Sequence, residues 1–572
     1  MSLSFLMTSK FAPDDVAQEF EGMIKNWMDN DFAIETMQHG AGVAWYMFPV
    51  YNLAETLRIL DDDSIEKVEL DQPSRQWGRG ARTIHHSDDY SAALSMTSKT
   101  IRSYEQGDSN TKGWYTGWGQ LYIYTNDVGQ YSGLSKPTID WERLPGVTSV
   151  ATMHPSTQYN GAAFVGGATL NGLYSATGMQ VQTQSPTSLE AKKSYFFFDD
   201  EVVAIGSDIT SSNANTIETT FENRRIEGDN ALVIDGEKMP NELGWQETLE
   251  DVNWAFMEGN VEGSDIGIYF PEGTTLNAKR ETRTGKWSSL GSYNPDETEY
   301  SANWLTLWQD HGSKPENGSY EYVLLPGMTQ QQVESYANNS DVEILRNDSD
   351  VHAVYKKSLN ILAANMWNGG SLDAMGTSNF LTVDKPATVM VQETNKDLDI
   401  SLTDSTQQAD TVTLEINRAA YGVSSKDERV KVIQTSPSII LEIDTKDAIG
   451  TPIEASISYT PVDAPEATEI LSTELVDDTL NLTFKNADRA EGYILQYGTE
   501  SGVYTESITV TSPKASIQGL EPNTTYYFVT DGQNYHCDIG DLDPNASYRL
   551  TISYDSSKYY LYGLLKVEGI GG

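Results

Sequence analysis

Polar and apolar residues along this chain follow two different periods. In the first sixty residues the apolar positions recur at helical spacing. Val16, Phe20, Met23, Ile24 and Trp27 fall on one face of a helix. Pro13 followed by Asp14 and Asp15 makes a favourable start for it, because acids stabilise the positive end of the helix dipole. A second apolar stretch, VAWYMFPVYNLAETLRIL at 43–60, is expected to be interrupted by Pro49. From about residue 76 the pattern shortens to that of strands. Strands are predicted at 91–98, 120–127, 163–170, 195–206, 231–236, 266–270 and 320–327, with Gly, Asn, Asp and Pro between them. So many short strands with little helix predict large packed antiparallel sheets.

Two boundaries follow from composition. NGGSLDAMGTSN at 368–379 reads as a linker, and 379–461 as a smaller all-β unit with strands at 410–418 and 438–445. PVDAP at 461–465 marks a second boundary. Beyond it, the strands 479–484 and 493–498 precede GLEPNTTYYF at 519–528. The spacing of Leu520, Pro522, Thr524 and Tyr526 resembles the turn and tyrosine corner of a fibronectin type III module. A similar run, Leu542, Pro544 and Tyr548, follows too soon for a second complete module. The expected fold class is mainly β, divided at 1–75 (helical), 76–376 (large antiparallel β-sandwich), 377–462 (small β domain) and 463–572 (fibronectin III-like sandwich).

Charge narrows the partners. The chain of 572 residues carries 83 acidic against 38 basic residues, a formal net charge of -45. Such a surface repels nucleic acid and anionic membrane. The single cysteine, Cys537, excludes an intramolecular disulfide and, with no evident histidine partner, reads as inert. No apolar run approaches the ~20 residues of a membrane helix, so no membrane insertion is expected. The opening MSLSFLMTSK has no sustained apolar core of the kind a signal peptide needs.

Several residue groups invite a chemical reading. In YFFFDDEVVAIG at 195–206, Asp199, Asp200 and Glu201 sit between two apolar runs. Paired carboxylates can do acid–base work. Strand neighbours point to opposite faces, however, and Asp tolerates turn geometry, so a structural hairpin is the preferred reading. His85 and His86 open the first β strand. A metal there would need further convergent ligands, and none is evident, so packing or exposure is preferred. His311, in DHGSKP, reads as a turn residue. Trp114, Tyr115, Trp118, Tyr122 and Tyr124 can stack on sugar rings, but in a strand-rich segment the core reading comes first.

The run SLEAKKSYFFFDDEVVAIGSDI at 188–209 resembles polysaccharide lyase family 8, the hyaluronate, chondroitin AC and xanthan lyases. The runs 91–105, 112–127, 137–148, 218–225 and 310–327 fit the same family, collinearly from about residue 15 to 460. The resemblance implies a helical toroid, a large β-sandwich domain and a small β domain, so that 1–75 is the end of an α/α toroid. It implies cleavage of a uronic-acid polysaccharide by β-elimination, with no redox cofactor; no residue is singled out as a metal ligand. Bacterial secretion or cell-surface location comes with it. The family's catalytic Asn, His–Tyr pair and Arg belong to the toroid and are expected upstream of residue 1. His39, Tyr46 and Asn52 lie in unmatched surroundings and read as helix packing. The isolated chain is therefore expected to be inactive and to need the toroid domain as partner.

Within YEQGDSNTKGW at 104–114 the resemblance gives Glu105 a supporting role in holding the catalytic Arg and Tyr. A carboxylate orients a guanidinium and tunes a nearby phenol; the other reading is a solvated loop acid. Arg102, Asp108, Asn110 and Lys112 are the candidate substrate-binding residues. Asp108 stands where Asn is usual, Trp118 replaces an Asp in a Gly-Asp-Gly run, and Ser135-Lys136 replaces an aromatic pair. An anionic polysaccharide must meet a protein at -45. At marine ionic strength the Debye length is roughly 3–5 Å, so Arg79, Arg82, Lys99, Arg102 and Lys112 can act locally. A sparsely charged polymer of xanthan type is the alternative substrate. The competing functions are a non-catalytic carbohydrate-binding or scaffold protein derived from such a lyase, and a surface adhesion protein.

Overall fold

The computed structural model describes residues 9–28, 49–68 and 72–459 apart from 106, 108, 109 and 157, with the strands and part of their connections between 470 and 569. The chain forms two compact units, Met1–Tyr459 and Thr460–Gly572.

Helix α1 spans Asp14–Met28 and α2 spans Pro49–Asp61. Pro49 is the first described residue of α2; residues 43–48 of the expected apolar segment, and with them its interruption at Pro49, lie outside the described residues. Ile24 and Ile59 are fully buried, and Arg58 of α2 reaches Glu21 of α1. His39 and Tyr46 lie outside the described residues, as does the side chain of Asn52.

A four-stranded antiparallel meander follows: β1 (Ser74–Trp77), β2 (Arg82–His86), β3 (Ser91–Ser95) and β4 (Gln120–Tyr124). Its period-two pattern turns Ala92, Leu94, Leu121 and Ile123 into the main core and leaves their neighbours half exposed. The two histidines end the second strand rather than opening the first, since Ser74–Trp77 also pairs into the sheet. His85 is buried against Tyr90 and Phe197, while His86 points the other way and meets Ser91 Oγ at 2.7 Å. They do not converge on a common point.

Between Thr148 and Pro326 the chain builds one twelve-stranded sheet. At its centre is the hairpin Leu189–Phe197 and Val202–Ser211. Phe196, Phe197, Phe198, Val202 and Val203 are wholly buried, and Asp199 and Asp200 make the exposed turn. Glu201 departs from the turn reading: it is buried and lies 2.7 Å from Lys356. His311 is not a turn residue either. It lies within the strand Tyr300–Ser313, two residues before its end, with Nε2 2.8 Å from Thr219 Oγ1, and burial pushes its imidazole down to about 4.

The next sandwich packs a seven-stranded sheet, starting at Val342–Asn347, on a five-stranded one. Strands from Val342 to Met366 belong to this layer, so the sheets divide near residue 340 rather than 377. The expected linker at 368–379 is a hairpin, Gly370–Ala374 with Thr377–Val383. Met375 and Gly376 both take positive φ, 51° and 68°, as a tight two-residue hairpin turn requires. Its glycines serve a turn, and Leu372, Ala374, Phe380 and Leu381 carry it into the core.

Polar groups join the two sandwiches. His352 is fully buried between Ser194 Oγ (2.8 Å) and Ser207 Oγ (2.7 Å), and burial pushes it down to about 3. Asn365 Nδ2 donates to the Thr177 carbonyl at 3.1 Å and to Ser194 Oγ at 2.8 Å.

The C-terminal unit contains a three-stranded sheet (470–476, 479–484, 514–518) and a six-stranded one from 493 to 569. Leu480, Leu482, Phe484, Leu495, Ala515 and Ile517 form its core. Pro522, Leu542 and Pro544 lie outside the described residues, as do the side chains of Thr524, Tyr526, Cys537 and Tyr548.

Candidate functional site

A cavity of about 960 Å³ opens on the outer face of the first sheet. Its walls are β1–β4, the turn Gly78–Gly80, the loop 103–116, and Ile449 and Thr451 from the second sandwich. The sheet is a rigid base because its other face is the main core. The loop is fixed by close packing. A Cβ on Gly117 would fall 2.2 Å from the Ser103 carbonyl oxygen, so the chain there passes its neighbour at a distance only glycine allows. Ser103 N donates to the Gln158 carbonyl at 2.8 Å, and Thr111 N to that of Leu290 at 2.6 Å. Gly117→Ala is expected to displace the 103–105 segment and lower thermal stability by about 1–3 kcal/mol, measured by denaturant melt; an unchanged midpoint would show that the loop yields freely.

Beneath the loop, Lys193 is fully buried and has no ion-pair partner among the described residues. Its Nζ donates to the Gly146 carbonyl at 2.5 Å and to that of Trp118 at 3.2 Å. Tyr195 Oη donates to the Gly119 and Gly146 carbonyls, both at 3.0 Å. Burial pushes the Lys193 ammonium down to about 7. Trp118 and Tyr115 belong to this core, with Tyr115 Oη donating to the Met153 carbonyl at 2.7 Å. Trp114 is half buried, stacked on His154 at 4.1 Å. Tyr122 and Tyr124 depart from the core reading, since they line the cavity from the outward side of β4.

The structure brings together Glu105 and Asn110, both on the cavity wall. Glu105 is exposed and has no ion-pair partner among the described residues. Asn110 Oδ1 accepts from Lys112 N at 2.8 Å, and its backbone bridges Gly107, which closes the loop. Arg102 and Lys112 are directed elsewhere. Arg102 Nε donates to Tyr159 Oη at 2.8 Å, and Lys112 Nζ to Ser289 Oγ at 3.3 Å. Asp108 lies outside the described residues. The cations that do line the cavity are Arg79 and Arg82. The strand alternation that turns Arg82 outward was a usable signal for it.

Residues 72–337 match the super-sandwich domain of polysaccharide lyase family 8, and residues 343–413 match that family's C-terminal β-sandwich domain. The chain belongs to polysaccharide lyase family 8. A xanthan lyase of Bacillus sp. is 37% identical over 482 residues, covering 81% of this chain and 51% of that protein. A hyaluronate lyase of Thermasporomyces composti is 29% identical over 461 residues, covering 79% of this chain and 57% of that protein. Among solved structures, that of Paenibacillus xanthan lyase aligns with a TM-score of 0.74 at 28% identity, over 97% of this chain and 59% of that one. This family 8 chain thus spans about half the length of the relatives it matches.

Proposed function

We propose that this chain is the β-domain part of a lyase that cleaves a uronic-acid polysaccharide by β-elimination. On this reading it supplies one wall of the cleft, and a helical toroid supplies the other. The observation that carries the proposal is the placing of Glu105 and Asn110 together on the wall of an open cavity above a rigid sheet. The elimination needs a base for the proton beside the uronate carboxylate and an acid for the departing glycosidic oxygen. That proton becomes acidic enough only when the carboxylate is neutralised. Glu105 acts here as a positioning residue, its carboxylate holding an Arg and a Tyr of the toroid by charge-assisted hydrogen bonds. The polymer substrate cannot enter a cell intact, so the reading puts the protein outside the cell or on its surface. Residues 463–572 join it as a fibronectin III-like appendage.

The second reading is a non-catalytic carbohydrate-binding protein derived from such a lyase, for which the open cavity walls alone would suffice. A chain with these walls alone would grip a polysaccharide without cleaving it.

The test is the ultraviolet absorbance of unsaturated uronate product with hyaluronan, chondroitin sulfate and xanthan in turn. The 572-residue chain alone is expected to give no turnover. Joined to a family toroid it is expected to turn over, and Glu105→Gln to lower kcat by about 10²-fold through misplacement of the groups it orients, with KM little changed. Turnover by the chain alone would overturn the division of labour. Polymer binding without turnover, even with a toroid, would select the second reading.

A further inference from the structure

The outer face of the first sheet has a relief of its own. Every outward residue of β3 is small: Ser91, Ala93 and Ser95. In register, Ala93 lies between Ile84 of β2 and Tyr122 of β4, and Ser95 between Arg82 and Gln120. Directly opposed residues on one sheet face stand about 4.5–5.5 Å apart. Taller side chains on both sides of a row of small ones therefore leave a trough about one strand wide.

One wall is aromatic and preset. The Tyr122 and Tyr124 rings lie within 10° of parallel, centroids 6.1 Å apart, and Tyr131 props both edge-on at 5.2 and 5.1 Å. The other wall is cationic and equally fixed. Arg82 Nη1 donates to the carbonyls of Gly80 (3.2 Å), Ala81 (2.9 Å) and Met96 (3.1 Å), which sets the direction of the guanidinium. Arg79 lines the same cavity, and neither arginine is in an ion pair among the described residues. In a chain of net charge -45, two uncompensated guanidiniums beside an aromatic wall form a local reversal of sign. Glu105, the cavity's acid, sits on the loop and not on the sheet.

We propose that this trough is a saccharide subsite for an acidic sugar unit, its ring against Tyr122 and Tyr124 and its carboxylate toward Arg82. Aromatic rings bury the apolar face of a pyranose, and a guanidinium donates strongly to a carboxylate. The proposal rests on the polysaccharide reading above and adds where on the β domain the chain of sugars is held. Charge complementarity selects this occupant over a polypeptide surface.

The experiment is calorimetric titration of the 572-residue chain with a hyaluronan octasaccharide, with cellohexaose as the neutral control. Ala93→Phe fills the trough without touching the core, and Arg82→Gln removes the charge. Each is expected to weaken octasaccharide binding about tenfold or more, with cellohexaose weaker than the octasaccharide by a similar factor and wild-type affinity falling as salt rises. Gel retardation of hyaluronan polymer is run in parallel. Equal binding by wild type and Ala93→Phe overturns the subsite while leaving the lyase reading intact, as does polymer retardation without octasaccharide binding. A loss of melting temperature in Ala93→Phe with affinity unchanged marks a packing face, and likewise overturns it. Absence of all binding, together with no turnover when the toroid is present, sinks both.

Discussion

Replacing Lys356 with methionine is expected to lower the unfolding free energy by about 3–5 kcal/mol, or roughly 3–5 °C in melting temperature. Lys356 Nζ lies 2.7 Å from Glu201 and 2.8 Å from Asp341, with the Lys356 and Glu201 side chains only 8% and 1% exposed. Removing the ammonium leaves the Glu201 carboxylate out of water with no cation beside it, and that desolvation is then uncompensated. The pair also joins two layers, because Glu201 immediately precedes the strand Val202–Ser211 of the large sheet and Lys356 ends a strand of the seven-stranded sheet. The double change of Glu201→Leu with Lys356→Met is expected to recover most of the loss, since an apolar pair of similar volume carries no desolvation cost. Denaturant titration of the wild type, the single variant and the double variant decides it. A single variant as stable as wild type would mean that the pair contributes no net energy.

Acid should unfold the protein at a pH where most carboxylates are still ionised. Burial pushes His85 and His311 down to about 4 and His352 to about 3. The unfolded values lie near ~6.5. Below that pH the unfolded chain binds protons that the folded chain refuses, so stability falls as pH drops from about 6.5 toward 4. Each histidine contributes a slope of about 1.4 kcal/mol per pH unit. Three of them remove roughly 8 kcal/mol by pH 4.5, comparable with the about 5–15 kcal/mol that holds a typical protein folded. Lys193 acts at the other end of the scale. Its folded value of about 7 lies below the unfolded ~10.4, so stability rises with pH between those two values. The expected measurement is an unfolding free energy that collapses near pH 4–5. His352→Gln should reduce proton uptake on unfolding by about one. Uptake unchanged in that variant would show that His352 titrates normally in the fold.

Much of this architecture was legible because strand periodicity and turn residues are local signals. The Phe-rich hairpin at 195–206 was legible as two apolar runs flanking Asp199 and Asp200, whereas the outward row of β4 was not, because Tyr122 and Tyr124 in a strand-rich segment favour the core reading. The hairpin at 368–379 was hidden because Gly, Ser and Asn serve a tight turn as readily as a linker, and only Leu372 and Phe380 hint at its buried side. His311 was missed for a related reason: a strand end rich in Asp, His and Gly has the composition of a turn. Glu201 was harder. Its partner Lys356 lies far along the chain, and no local pattern records such a pairing. In the candidate site, Glu105 and Asn110 were found through family resemblance. Arg102 and Lys112 were chosen by nearness in sequence, which says nothing of side-chain direction. Arg82, chosen on the same ground, reaches the cavity because strand alternation turns it outward.

The buried ammonium of Lys193 also imposes an order of events. The carbonyls it holds, those of Trp118 and Gly146, belong to the loops behind the cavity, whereas Lys193 itself sits mid-strand in the large sheet. Those loops gain their anchor only after the strand 189–197 has paired with its neighbours. The first sheet comes earlier along the chain, yet its cavity takes final shape later. A ribosome-bound chain ending before residue 189 would carry β1–β4 with an unfinished site.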